Sequence, residues 1–333
     1  MQNPTHDLDA IAGRYKQFAE AQARGISPLY ESLAAHISTN DKLLTFLSGL
    51  PVDRQQPNLF LGAVRHVCGI ARDTTEFEQL VETNTNAIRS IMLSRTTQTN
   101  EPARCAVLLP ALAALNQPLA LIEVGASAGL CLLPDYYRYD YGHRQITGSN
   151  AATDDAPEFP CQANRETPLP QQAPSITWRA GLDLNPLDVK SEEQMAWLET
   201  LVWPEQTARA ERLKSAIAVA RRNPPRIHRG NLLEYLARIA EAAPSNAQLV
   251  IFHTAVLAYV SDQKERDRFA SLVRDLKAVW LSNEAPSIFP GQARLAPSPP
   301  QDGSFLLSVN AKPVAWTGPH GQYIHWFADP VIT

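Results

Sequence analysis

The residues with the clearest chemical meaning lie between Glu123 and Gly129. There the apolar run Leu119-Ala120-Leu121-Ile122-Glu123-Val124 passes into Gly125-Ala126-Ser127-Ala128-Gly129. A strand-length apolar run that ends in glycine and small residues predicts a sharp strand-to-helix turn. Such a turn leaves main chain open to a ligand and offers free N–H groups at the positive end of a helix dipole. The same residues also spell G-x-S-x-G, which would make Ser127 a nucleophile on an elbow. Its acid would be Asp183 or Asp188, and its histidine His253 or His320. The plain alternative is a tight joint that binds nothing. His253 closes a second apolar run, Ile251-Phe252-His253, and its near-neutral titration suits a general base. Tyr259 follows as a candidate for the same cleft. Glu284, ending Leu281-Ser282-Asn283-Glu284, is a candidate carboxylate facing substrate. The catalytic candidates are thus His253, Tyr259 and Glu284.

These residues need elements to hold them. Residues 7–116 read as helices throughout: Asp7 to Ala23, Pro28 to Ile37 capped by Ser27, Asn40 to Gly49, Asn58 to Ala71, Thr75 to Arg95, and a last one kinked at Pro110. From Pro118 the pattern alternates. Extended segments are expected at 119–124, 176–178, 181–184, 226–229, 248–253 and 278–282, with helices at 192–202, 207–222, 231–241 and 263–276. Phe305 to Asn310 and Gln322 to Phe327 read as a closing antiparallel pair. Alternation of this kind predicts an α/β fold with a mainly parallel sheet covered on both faces. The expected division is a helical region, 1–116, acting as lid or wall of the cleft, and an α/β domain, 117–333. Proline-rich inserted loops are expected at 142–175 and 285–303. Tyr137, Tyr139 and Tyr141 share one face at strand spacing, which suits packing better than a platform for nucleic-acid bases.

Composition excludes several classes. Of 333 residues 44% are apolar and 19% charged, which rules out disordered and collagen-like chains. With 30 basic and 34 acidic residues the net charge is −4, so no global field attracts phosphate backbones and a nucleic-acid partner is not expected. No apolar run reaches the roughly 20 residues of a membrane span, and Met1 to Asp7 lacks the pattern of a secretory signal. The four cysteines, Cys68, Cys105, Cys131 and Cys161, are widely spaced with no CxxC. Reduced thiols in the cytoplasm are therefore expected, and no metal site.

The strand-end motifs together resemble Rossmann-like S-adenosylmethionine-dependent methyltransferases over about 210 residues. Glu123-Val124-Gly125 with Gly129 is similar to the acidic-x-Gly-x-x-x-Gly first motif of that group. The resemblance implies S-adenosylmethionine as cofactor, held by Glu123, Gly125, Ala126, Ser127 and Gly129. Asp183 would take the ribose hydroxyls, and Asn231 with Leu232 the adenine. His253 would then face the methyl acceptor, a small molecule. The absence of strands before Leu119 favours this reading over the serine hydrolase; a non-catalytic ligand-binding protein is the third. Over nearly the whole chain, a wider set of residues resembles the bacterial DUF2332 family. It comprises Ser27-Pro28-Leu29-Tyr30, Glu123 to Leu130, Tyr136 to Gly142, Gly181 to Asp188, Trp203-Pro204, Phe252 to Tyr259 and Ser282-Asn283-Glu284. The chain departs from the family pattern at Cys131, Asn231 and Thr254, where Asn, Asp and Ser are expected. That resemblance implies a cytosolic bacterial protein with a Rossmann-like core and no particular reaction.

Overall fold

A computed structural model describes residues 4–151 and 155–329. Residues 1–3, part of the segment read for a signal, and 152–154, part of the 142–175 insertion, lie outside that description. In chain order the elements are α1 (Pro4–Phe18), α2 (Pro28–Ile37), α3 (Asp41–Ser48), α4 (Pro57–Cys68), α5 (Thr74–Ser94), α6 (Arg104–Ala113) and β1 (Leu119–Val124). Next come β2 (Arg138–Asp140), β3 (Gln145–Thr147), β4 (Glu158–Pro160), β5 (Gln162–Ala163), β6 (Ile176–Asp183), α7 (Glu192–Thr200), α8 (Thr207–Arg222) and β7 (Ile227–Arg229). The chain continues through α9 (Leu232–Ala240), β8 (Gln248–Thr254), α10 (Gln263–Asp275), β9 (Val279–Glu284), α11 (Pro290–Ala293), β10 (Phe305–Val309), β11 (Lys312–Thr317) and β12 (Tyr323–Trp326). No helix among the described residues is long and apolar enough to cross a membrane.

The chain packs as two units. The first comprises Met1–Thr99 and Glu192–Glu211; the second comprises Asn100–Ser191 and Arg212–Thr333. The helical unit forms as α1, α2, α3 and α5 pack apolar stripes around α4, which has no exposed face. Ile11, Tyr15, Leu33, Ile37, Leu47 and Phe60 meet in its core. Ser27 caps α2 by accepting from the Tyr30 amide at 3.1 Å, and Asn40 caps α3 by accepting from Leu43 at 3.1 Å. The α7 segment joins this unit through the buried Trp197, whose indole N–H donates to the Thr96 carbonyl at 2.9 Å, and through Glu205, which accepts from Ser27 Oγ at 2.6 Å. The boundary at Thr99 leaves α6 with the sheet rather than with the helices before it. Arg104 to Leu112 are buried, so α6 has no solvent face and behaves as a core helix.

The second unit is α/β. Its nine-stranded sheet runs β5-β12-β11-β10-β9-β8-β1-β6-β7. β7, β6, β1, β8 and β9 are mutually parallel, and β9, β10, β11 and β12 are antiparallel neighbours. All six β1 residues are buried, as a central parallel strand requires. On one face Ile122, Val124, Ile251 and Trp280 pack against Leu236, Ile239, Phe269 and Val273 of α9 and α10. Alternation turns Leu121 and Glu123 to the opposite face.

Three expectations need correction. The closing pair is a meander: β11 lies between β10 and β12 and pairs with both. Pro313 hides β11 in the sequence; the turn signal is Asn310, which with Ala311 adopts left-handed φ of 50° and 65° in a tight hairpin. The 142–175 insertion is not a plain loop, because β3 and β4 pair with β2 and β5 pairs with β12. The third correction concerns the glycine turn: no α-helix follows it, only single 3₁₀ turns at Leu130–Leu132 and Pro134–Tyr136. Pro134 cannot donate to Leu130 and pushes Leu133 out of helical geometry (φ −114°, ψ 37°). The carbonyls a helix would use are taken by side chains: Tyr137 Oη donates to Leu130 at 2.8 Å and Arg179 Nη1 to Leu132 at 2.9 Å. Tyr137, Tyr139 and Tyr141 are buried, consistent with packing.

Candidate functional site

The parallel strand order reverses between β1 and β8: the chain goes from β1 to β6 and β7 on one side and returns to β8 and β9 on the other. In open α/β sheets the crevice outside the carboxyl ends at such a reversal is where ligands bind. Here those ends carry an unusual concentration of buried polar groups, including Glu123, Ser127, His253, Thr254, Asn283 and Glu284. Four atoms among them, Glu123 Oε2, Ser127 Oγ, Asn283 Nδ2 and Glu284 Oε2, are sealed without a hydrogen-bond partner. Leaving such a group unmet costs about 1–3 kcal/mol each, which marks this edge as the candidate site.

The turn after β1 is held by β6. The Gly125 and Ala126 amides donate to the Leu182 carbonyl at 2.7 and 3.2 Å, and the Ser127 amide donates to Asp183 Oδ2 at 2.8 Å. Gly125, Ser127 and Gly129 all have left-handed φ, of 73°, 51° and 73°. The two glycines are not bare toward a ligand, as the sequence suggested. A Cβ on Gly125 would lie 2.6 Å from Val256 Cγ1 and closer still to Cγ2, and one on Gly129 would lie 2.5 Å from Pro225 Cγ. Ala126, fully buried, fills the matching position beside Gly181. Ser127 is different: its hydroxyl is buried and unpartnered, and no imidazole meets it.

Asp183 ends β6. It accepts from the Ser127 amide and, through Oδ1, from Asn185 at 2.7 Å. One strand further, Asn231 caps α9 by accepting from the Leu233 amide at 2.8 Å, and Tyr235 lays its ring against Gly230. Leu232 packs at the edge of the α9 core. Register sets the ends of β1, β6 and β7 side by side, with Val124 opposite Leu182 and Asp183 opposite Arg229. Asp183, Ser127 and Asn231 therefore lie along one edge.

His253 is not available as a base. It is 0% exposed and both ring nitrogens are engaged. Trp280 Nε1 donates to Nε2 at 2.9 Å, which fixes the proton on Nδ1, and Nδ1 donates to Glu284 Oε1 at 2.7 Å. Glu284 Oε1 also accepts from the Val256 and Leu257 amides at 2.9 and 3.2 Å. The two residues therefore shape the turn after β8, the turn whose Val256 covers Gly125. Tyr259 stands on that turn, 73% exposed. His320, the other candidate histidine, is part-exposed, 3.9 Å from Glu101 Oε2.

On the opposite face of the sheet, register aligns Glu123 with Thr254, Asn283 and Thr317. Glu123 pairs with Phe252, Thr254 follows two residues on, Thr254 pairs with Asn283, and the Thr317 hydroxyl donates to Asn283 Oδ1 at 2.7 Å. Arg104 of α6 reaches this row, with Nη1 donating to the Thr254 carbonyl at 3.1 Å and Nε to Pro319 at 2.9 Å. A lone arginine in a helical stretch carries no sequence signal; only the tertiary fold brings it here.

Burial pushes the Glu123 carboxyl well above its ordinary value, reinforced by Cys131 and Asp183 and opposed by Arg104. A folded-state value raised in this way gives stability that is full below the ordinary carboxylate range and lost as pH rises toward the folded value. Glu123→Gln removes the ionisation. Its melting temperature should gain on the wild type as pH rises above the ordinary carboxylate range; a difference independent of pH would show that Glu123 stays ionised throughout.

Strand order, turn and polar carboxyl edge together define a Rossmann-like α/β protein. A family model described as "Uncharacterized protein conserved in bacteria (DUF2332)" matches residues 12–326, and the chain belongs to that family. No curated protein and no solved structure gives a significant match.

Proposed function

We propose that this protein is an S-adenosylmethionine-dependent methyltransferase acting on a small molecule, with the cofactor along the ends of β1, β6 and β7. The observation that carries the reading is the strand order β7-β6-β1-β8-β9 with an acid, Asp183, ending the strand next to β1 and bonded to its turn. The residues fit such a cofactor at one edge. The Ser127 hydroxyl is buried and unmet, Asp183 suits a pair of ribose hydroxyls, and Asn231 with the exposed Tyr235 suits an adenine. They do not fit it over Gly125, where Val256 lies, so the ligand would run from Ser127 toward β7. When bound, the group supplies an electrophilic methyl. The chain's part is then to orient the acceptor and exclude water, which asks for no base at His253. Tyr259, exposed on the turn after β8, is the candidate that could touch the acceptor. Free thiols at Cys68, Cys105, Cys131 and Cys161 suit the cytoplasm.

Isothermal titration of S-adenosylhomocysteine tests this reading. The wild type should bind it, and Asp183→Asn should bind at least tenfold more weakly, since a hydrogen bond to a charged group contributes about 1.5–3 kcal/mol. No heat at millimolar ligand would end the proposal. A serine hydrolase draws support from the left-handed φ and unpartnered hydroxyl of Ser127. It lacks a base at that hydroxyl, and no labelling of Ser127 by a fluorophosphonate is expected.

A further inference from the structure

Arg104 is 6% exposed, yet among the described residues no carboxylate lies within ion-pair distance of its guanidinium. Its bonds go to neutral oxygens: the Pro319 carbonyl, the Thr254 carbonyl and, at 3.4 Å, Thr254 Oγ1. Its third nitrogen, Nη2, makes none of these bonds. Buried charges in proteins are normally paired, because desolvating an ion costs several kcal/mol unless something compensates it. An unmet donor lies one strand over. Asn283 is the register partner of Thr254 on the same face, its Oδ1 is used by Thr317, and its Nδ2 is buried without an acceptor. A buried cation bonded only to neutral oxygens and a buried amide without an acceptor thus flank Thr254 at the carboxyl edge.

We infer that Arg104 and Asn283 form the anion-binding end of a substrate pocket for a small monocarboxylic acid. A singly charged carboxylate adds less repulsion than a phosphate dianion in a low-dielectric place that already holds Glu101, and where Glu123 feels the Arg104 charge. A planar carboxylate also matches the planar guanidinium and can accept from two donors at once. The pocket lies at the ends of β8 and β9, across the strand reversal from Ser127, Asp183 and Asn231. That is where an acceptor must lie if the cofactor is over β1, β6 and β7. The role of the acid as methyl acceptor rests on the methyltransferase reading; its binding at Arg104 does not.

The test is calorimetry and thermal shift on the full chain with sodium benzoate, its neutral counterpart benzamide, and inorganic phosphate. Benzoate should bind and raise the melting temperature, while benzamide and phosphate should not. The benzoate–benzamide comparison needs no variant. Arg104→Gln, checked for folding by circular dichroism, should weaken benzoate at least tenfold. Equal binding of benzoate and benzamide, preference for phosphate, or unchanged benzoate affinity in a folded Arg104→Gln would each overturn the inference. S-adenosylhomocysteine titrated into the same preparation separates the two proposals. If it binds and benzoate does not, only the carboxylate pocket fails; if benzoate binds and it does not, only the methyltransferase reading fails.

Discussion

Glu284→Ala is expected to lower the melting temperature by roughly 10 °C. One oxygen, Oε1, accepts from His253 Nδ1 and from the Val256 and Leu257 amides. Alanine strands all three donors at a place that is nearly dry. At about 1–3 kcal/mol for each stranded donor, part of which water recovers at Val256, the loss is about 3–5 kcal/mol. In a unit of roughly 200 residues each kcal/mol moves the midpoint by about 2–4 °C. Glu284→Gln keeps an acceptor of the same shape and should cost only about 1 kcal/mol. Thermal denaturation of both variants checks this. Equal losses would mean that the carboxylate charge, not the acceptor geometry, holds the turn. The same comparison bears on the site, because the turn that Glu284 fixes carries Val256 and leads to Tyr259.

Gly125→Val should be nearly as damaging, for two separable reasons. The residue sits at φ 73°, a conformation that costs an L-residue about 1–2 kcal/mol and a β-branched one more. Its Cβ would also lie 2.6 Å from Val256 Cγ1, an overpacking of the kind that costs about 1–3 kcal/mol. The sum is about 3–5 kcal/mol. A double-mutant cycle divides it. Gly125→Ala alone should lose both contributions, whereas in a Val256→Ala background it should lose only the backbone part, about 1–2 kcal/mol. Losses that simply add would show that Val256 yields freely and the glycine is needed for its φ alone. Either way, loss of ligand binding in Gly125→Val would report unfolding as readily as a blocked site, so ligand tests belong on Asp183 and Arg104.

Much of the architecture is legible in the sequence because it rests on local patterns. Ser27 before Pro28 and Asn40 before Asp41 announce their helices, and the apolar runs at 119–124 and 248–253 announce the two central parallel strands. What fails depends on partners distant in the chain. Pro313 conceals β11, which forms because β10 and β12 offer it edges on both sides. Pro134 removes the helix after Gly129, and the carbonyls so released are met by Tyr137 and Arg179, from outside the turn. The glycine turn is readable as a turn but not as an open one, since Val256 and Pro225, more than 90 residues downstream, fill the space. His253 shows the same limit: its position at a strand end is in the sequence, while the two bonds that occupy its ring come from Trp280 and Glu284 on β9. Arg104 is the converse case, a residue with no motif that becomes chemically interesting once α6 is buried against the sheet's unit.

A crystal structure of the full chain grown with S-adenosylhomocysteine is the most direct measurement of the central claim. The ligand is expected along the ends of β1, β6 and β7, with a hydrogen bond from Ser127 Oγ, the ribose at Asp183 and the adenine beside Asn231 and Tyr235. Density for the ligand anywhere else, or none with that edge open to solvent, would contradict it.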